Sequence, residues 1–292
     1  MSDTPAPRPI VVGVDGSVSG ERALDWATQE ATARGLPLRI VHAHESSPFI
    51  GAAVMVAPPQ WDDQDWVTET ARERVATLAP RLEVSTEEMA SPAFSALEDA
   101  SEQADTVVVG ARGRGAVRRA LLGSTSLHVA AHASCPVVVV PAIEHKDAAL
   151  LPVLVGVDGS PLSLDALGYA FAAAAQRQAP LDVVICWDTK TLPTYRLSGA
   201  IAKDVEAAAV RHHRDVAEEA AAPWREKYPQ VAVTVHVSSD SPAEVLVERS
   251  RASVLTVVGS RGHGSFTGAL LGSVSDGVLH RAHSPVAVVR SS

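Results

Sequence analysis

The sequence predicts an α/β protein made of two tandem doubly wound, Rossmann-like domains, each a five-stranded parallel sheet flanked by four helices. Three observations lead there. The chain is written twice: PIVVGVDGS at Pro9–Ser17 returns as PVLVGVDGS at Pro152–Ser160. Within each copy, short apolar runs alternate with helical patterns, the signature of βαβ units. The runs are nearly continuously apolar, as strands covered by helices on both faces require.

Taken in order, the first copy opens with an apolar run at 10–14 that ends in Asp15-Gly16-Ser17, followed by a helical pattern over Ser19–Arg34. A second run at 38–43 leads through a Pro-bearing connection, Gly51–Trp66, to a helical pattern at Asp65–Leu78. A third strand is expected at 82–86. Ser91-Pro92 then introduces a helix over Ala93–Gln103, because Pro suits the first helical turn, where its missing N–H costs nothing. The fourth run, 106–109, empties into a glycine-rich loop. A helix over Ser124–Ala133 and a final strand at 136–140 close the copy.

The second copy repeats this order. LPLRIVHAHE from Leu36 returns as APLDVVICWD from Ala179, and CPVVVVP from Cys135 returns as SPVAVVR from Ser284. An amphipathic stretch from about Ser198 to Lys227 takes the place of the second helix, after the connection Thr189–Gly199. A period this long is not a solenoid repeat, so the expected organisation is two complete domains, 1–145 and 146–292, joined around AIEHKDAALL.

Composition narrows the function classes. With 292 residues, 46% hydrophobic and 20% charged, each half can bury its own core. The formal net charge of -9 argues against nucleic acid or an anionic membrane as partner. Cys135 and Cys186 form no CxxC spacing, so neither a disulfide framework nor a zinc site is expected. The N-terminus lacks a signal pattern and no apolar run approaches the roughly 18 residues needed to span a bilayer, so the expectation is a soluble cytoplasmic protein with no membrane partner.

Chemistry concentrates in the loop after the fourth strand. Gly110 to Thr125 reads GARGRGAVRRALLGST, and Gly259 to Val274 reads GSRGHGSFTGALLGSV. In both, two residues separate the first pair of glycines (Gly110 and Gly113; Gly259 and Gly262), and nine more lead to Gly123 or Gly272. Glycine admits positive φ and lets backbone approach a ligand closely. The triplets starting at Gly123 and Gly272 open a helix whose free N–H groups and dipole favour an anion. Hydroxyls of Ser124, Ser126, Ser273 and Ser275 could add donors at about 1.5–3 kcal/mol each. Turn-and-cap duty alone would explain one such loop; the matched pair points to a phosphate cradle. It is not a Walker A loop, since residues 1–145 contain no lysine and no lysine of the second half follows a glycine. Nor is it a dinucleotide fingerprint, because it follows the fourth strand and Arg118 stands where the third glycine belongs.

These loops, together with a first strand ending in Asp, resemble the ATP-binding universal stress protein family over essentially the whole chain. The resemblance implies one ATP per domain at the carboxyl edge of each sheet. Asp15 and Asp158, with the preceding Gly13, Val14, Gly156 and Val157, would meet the adenosine end. Ala43 and Cys186 would border the adenine, while Val109, Gly110, Val258 and Gly259 would meet the ribose. Gly113, Gly123, Ser124, Thr125 and Ser126 would hold the phosphates in one copy, and Gly262, Gly272, Ser273, Val274 and Ser275 in the other. It further implies a stress-response or growth-control role in which the bound state is read by a partner.

Several features stay open at this point. Arg112, Arg114, Arg118 and Arg119 crowd the first loop, whereas the second has Arg261 and His263. They could neutralise phosphate, form a solvated basic face or meet another subunit. Asp15 and Asp158 lack the companions of a general base and could simply cap turns. His42 and His44 lack metal-ligand company and read as packing or surface residues. A slow ATPase is the enzymatic alternative, with any Mg²⁺ held mainly by the nucleotide. The apolar fifth strands, as sheet edges, are expected to pair within the chain or across a homodimer.

Overall fold

A computed structural model describes residues 7–44, 65–113, 122–142, 151–187, 200–262 and 271–290. Contacts divide the chain into two units, Met1–Ala142 and Ile143–Ser292. The described residues of each hold five strands and four helices.

Unit 1 runs β1 (Ile10–Gly13), α1 (Val18–Arg34), β2 (Leu38–Ala43), α2 (Asp65–Leu78), β3 (Val84–Met89), α3 (Ala93–Ser101), β4 (Thr106–Gly110), α4 (Ser124–His132) and β5 (Val137–Val140). Its strands lie in the order β3-β2-β1-β4-β5, all parallel. The chain moves outward one way from β1 through β2 and β3, then returns to the other side of β1 for β4. The order therefore reverses between β1 and β4, and their carboxyl ends splay apart into a crevice there. β1, β2, β4 and β5 bring Ile, Leu and Val side chains into a core that α1 and α2 cover on one face and α3 and α4 on the other.

Unit 2 repeats this plan with β6 (Val153–Val157), α5 (Pro161–Arg177), β7 (Leu181–Cys186), α6 (Ala200–Lys227), β8 (Val233–Ser238), α7 (Pro242–Arg249), a 3₁₀ turn at Ser250–Ala252, β9 (Leu255–Gly259), α8 (Ser273–Arg281) and β10 (Val286–Val289). The order β8-β7-β6-β9-β10 is again wholly parallel. Its crevice lies between β6 and β9. The helix expected over 198–227 is present as the 28-residue α6, with Pro223 inside it. Near its end Trp224 lies against Gly168 of α5, and its ring stacks at 6.4 Å on Phe171. No described helix is long and apolar enough to cross a membrane.

Element limits shift by one or two residues from the sequence expectation, with one larger change. The third strand, expected at 82–86, occupies Val84–Met89, and its four central residues, Ser85 to Glu88, are exposed. Apolar runs could not locate it because β3 is the outermost strand of its sheet. Its position is set by backbone pairing, Leu38 to Val84 through Ala43 to Met89.

The two long first helices end alike but with different residues. α1 stops at Gly35, with φ 63 and ψ 32, and α5 stops at Gln178, with φ 52 and ψ 34. In both cases the left-handed residue's N–H closes onto carbonyls of the last turn. Glycine occupies that region freely, whereas glutamine is strained there. Gln178→Gly should raise stability by about 0.5–1 kcal/mol and Gly35→Ala should lower it by about 1 kcal/mol, measured by chemical denaturation of the full chain.

Candidate functional site

At the carboxyl end of β1 the Val14 N–H donates to the Val41 carbonyl at 2.9 Å, and the next residue, Asp15, leaves the sheet. Gly16, with φ 71, makes the turn. Asp15 Oδ1 accepts from the Ser17 N–H at 3.0 Å and from the Ser17 hydroxyl at 2.6 Å. Ser17 Oγ in turn accepts from the Gly20 N–H at 3.1 Å, capping α1. Unit 2 repeats the turn, with Gly159 at φ 83 and Asp158 Oδ1 accepting from the Ser160 N–H at 2.9 Å. So the capping role is real, but it occupies only one carboxylate oxygen for these bonds.

The other oxygen faces the glycine loop. A Cβ on Gly113 would stand 2.8 Å from Asp15 Oδ2, and one on Gly262 would collide with Asp158 Oδ2. Each carboxylate thus reaches across its crevice, from the end of the first strand to the loop after the fourth. At Gly110 the backbone itself is the obstacle, since a Cβ would meet the Ser19 carbonyl oxygen at 2.5 Å. The Arg112 N–H donates to Ser19 Oγ at 3.2 Å and ties the loop to the start of α1. Leu162 stands at the matching place in unit 2 and has no hydroxyl to offer; its carbonyl oxygen would lie 3.0 Å from a Cβ on Gly259.

One sequence expectation is corrected here. Among the described residues the glycines with positive φ are Gly16, Gly35 and Gly159, and none belongs to the loop. Gly123 and Gly272 are extended, at φ -77 and -72, as N-caps without a side-chain hydrogen bond. The loop glycines at 110, 113, 259 and 262 serve close approach instead of unusual backbone angles.

The fourth helices begin beside these glycines. The Gly123 N–H donates to the Ala111 carbonyl at 2.8 Å and the Gly272 N–H to the Ser260 carbonyl at 2.8 Å, which fixes where α4 and α8 start. Within a helix the N–H groups of the first turn have no acceptor, which leaves those of Ser124, Thr125 and Ser126, and of Ser273, Val274 and Ser275, as donors to an anion. Two of the four hydroxyls expected to donate to the same anion have another acceptor. Ser126 Oγ–H donates to the Gly110 carbonyl at 2.7 Å and Ser275 Oγ–H to the Gly259 carbonyl at 2.5 Å, both from buried positions. Ser124 and Ser273 are exposed.

Val14, Val157, Val109 and Val258 are all buried, so each offers the crevice its backbone and keeps its side chain in the core. Gly13 and Gly156 lie under Leu97 and Leu246, where a Cβ would stand 2.9 and 2.8 Å from a leucine methyl. Ala43 and Cys186 end the second strands, in register with Met89 and Ser238. Burial pushes the Cys186 thiol up to about 11, helped by Asp240 and opposed by Arg249, so it is neutral near pH 7. Arg112 and Arg261 are exposed at the starts of their loops. Arg114, Arg118, Arg119 and His263 lie outside the described residues.

His42 is more than the packing residue the sequence suggested. It is buried at the end of β2, and its Nδ1 lies 2.8 Å from the Val14 carbonyl, a contact in which the ring N–H donates. Its position next to Ala43 was the available signal. Unit 2 has Ile185 at that place, and there Trp187 is buried instead, stacked on His213 with ring centroids 6.1 Å apart. Among the described residues no group of three or more His, Cys, Asp or Glu side chains is arranged to hold a metal ion.

Comparison with known proteins gives this geometry a family. The model of the universal stress protein family matches residues 7–141 and again 151–290. A universal stress protein of Mycobacterium tuberculosis is 37% identical over 303 residues, covering 97% of each chain. One from Mycolicibacterium smegmatis is 37% identical over 293 residues, covering 96% of each. In fold the chain is similar to a functionally unknown protein of Pseudomonas aeruginosa, with a TM-score of 0.67 at 18% identity over 98% of this chain and 93% of that one. It is also similar to a universal stress protein of Archaeoglobus fulgidus, with a TM-score of 0.61 at 20% identity over 97% and 98%. Two family matches in sequence, each spanning one crevice, one aspartate and one glycine loop, make this chain a tandem member of the universal stress protein family.

Proposed function

We propose that each unit binds one ATP at the carboxyl edge of its sheet, and that the bound state acts as a stress-response signal read by a partner or by growth control. The observation that carries this reading is the doubled clasp of Asp15 with Gly113 and Asp158 with Gly262. A side chain at either glycine would displace the carboxylate, and both positions stand beside a helix start with open N–H groups. Both copies have this arrangement, which a turn alone does not require.

In the proposed complex the phosphates lie against the first-turn N–H groups of α4 and α8, where the helix dipole favours negative charge. The ribose and base run back along the strand ends, past the backbone of Val109 and Gly110, or Val258 and Gly259, toward Ala43 or Cys186. Asp15 and Asp158 accept hydrogen bonds from the nucleoside while holding the turn that starts the first helix. Any Mg²⁺ is held by the nucleotide phosphates. At a ligand concentration 100 times the dissociation constant, binding adds about 2.7 kcal/mol of stability. The fifth strands belong to the same reading as the place where units or chains pair.

Small molecules released by denaturing the purified protein should include ATP at close to two per chain, with little phosphate set free over hours of incubation. Absence of nucleotide, together with no thermal shift on adding ATP, would overturn the proposal; sustained phosphate release would instead favour an ATPase. Gly113→Ala and Gly262→Ala should each weaken one of two ATP-binding events by about tenfold or more, read by isothermal titration calorimetry, since the added methyl drives the aspartate out of place.

A further inference from the structure

The outer part of the unit 2 sheet carries a cluster of charged and titratable side chains away from the glycine loop. His236 of β8 is level with Val184 of β7, so it shares one face of the sheet with Asp182. α7 covers that face, and Arg249 in its last turn completes the cluster. His236 Nε2 lies 3.3 Å from Asp182 Oδ2, Arg249 Nη2 lies 3.2 Å from His236 Nδ1, and Arg249 Nη1 lies 3.8 Å from Asp182 Oδ2. Cys186 and Asp240 adjoin the same face, the thiol feeling the charges of Asp240 and Arg249. α6 covers the other face, where Arg214 donates to the Val235 carbonyl at 3.3 Å. Arg251 of the 3₁₀ turn is paired with Glu248 at 3.0 Å.

The contact with arginine fixes where the imidazole carries its proton. A guanidinium has N–H donors and no acceptor, so Nδ1 accepts from Arg249 and the ring proton sits on Nε2. Nε2 is buried and finds no hydrogen-bond acceptor in line among the described residues, although Asp182 is within ion-pair distance. A proton added at Nδ1 sets N–H against N–H and one positive charge against another. The Arg249 contact is then lost, while the attraction of the ring to Asp182 grows. Histidine is the side-chain type whose ordinary titration falls between about pH 5 and pH 8. Unit 1 has Arg39 in place of Asp182, Glu87 in place of His236 and Asp99 in place of Arg249, with Arg39 3.8 Å from Glu87. Every sign is reversed there, and none of those residues is a histidine. α7 also underlies the unit 2 crevice. Its buried Leu246 lies against Gly156, where a Cβ would stand 2.8 Å from a leucine methyl, and the helix packs on α8.

We propose that His236 is a pH-sensitive latch: neutral, it accepts from Arg249 and holds the end of α7 against β7 and β8; protonated, it lets that end go. The contact is present above the range in which the ring takes up a proton and is lost as pH falls through it. The latch belongs to unit 2 alone, so acidification loosens the helix beneath one crevice and leaves the other unchanged. Nothing in this depends on what the crevice binds.

The test is amide hydrogen exchange of the full chain, read on α7 at about pH 8 and about pH 5, for the wild type, His236→Asn and Arg249→Met. Asparagine offers its carbonyl oxygen near the Nδ1 place, accepts from Arg249 and does not titrate. Variants are compared at the same pH, so the chemical exchange rate cancels. At about pH 5 the α7 amides of the wild type should exchange roughly tenfold faster than those of His236→Asn, and at about pH 8 the two should match. α3 of unit 1 should not tell them apart. A difference from His236→Asn that is absent, or the same at both pH values, overturns the inference. So does an imidazole that carries its proton on Nδ1 at the higher pH, read from its ¹⁵N chemical shifts. Should His236→Asn fail to fold, Arg249→Met decides. Its α7 should exchange faster than the wild type at the higher pH, with the gap closing at the lower one; a gap that is absent or constant stands against the latch.

Discussion

One carboxylate in each unit holds the crevice together. The first and fourth strands pair as far as Val12 with Val108 and Val155 with Val257, and beyond that point their chains leave for opposite faces of the sheet. Asp15 and Asp158 span that gap, with one oxygen in the turn that caps the first helix and the other against the glycine of the loop. The turn is part of this, with Gly16 and Gly159 at positive φ just before the serine whose N–H donates to the aspartate. The loop depends on it as well, because only a residue without a Cβ can come so close. The start of the fourth helix follows, through the hydrogen bonds of Gly123 and Gly272 to the loop's first residues.

Around this shared device the copies have diverged in the atoms that surround it. Unit 1 ties its loop to α1 through Ser19 and anchors β1 to β2 through buried His42. Unit 2 uses Leu162 and Ile185 at those places and moves its aromatic bulk to Trp187. The backbone plan is unchanged while the polarity of the crevice wall differs.

The fold was legible because buried parallel strands write themselves as Val-rich runs and because the chain states its plan twice. β3 was the exception, since an edge strand with four exposed residues is held by backbone pairing that leaves no apolar trace. Of the site, the sequence located the aspartates, the loop glycines and the helix starts. It gave the glycines two reasons, positive φ and close approach, because spacing cannot separate them, and the described loop glycines show the second. For Ser126 and Ser275 it offered hydroxyl donors to an anion, and in the structure those hydroxyls donate to the ends of β4 and β9, a choice that depends on burial. His42 was set aside for want of a metal partner, when its partner is a carbonyl 28 residues earlier in the chain.

The polar outer strand of unit 1 has a bearing on solubility. A sheet edge exposes unpaired N–H and C=O groups that can recruit a strand from another molecule. Glu87 and Glu88, exposed on opposite faces of β3, put negative charge at this edge, which discourages such addition. The corresponding strand β8, with Val233, Val235 and Val237 about a single histidine, has no such acidic guard. The two outer strands therefore offer an incoming strand different charge, acidic on β3 and without carboxylates on β8.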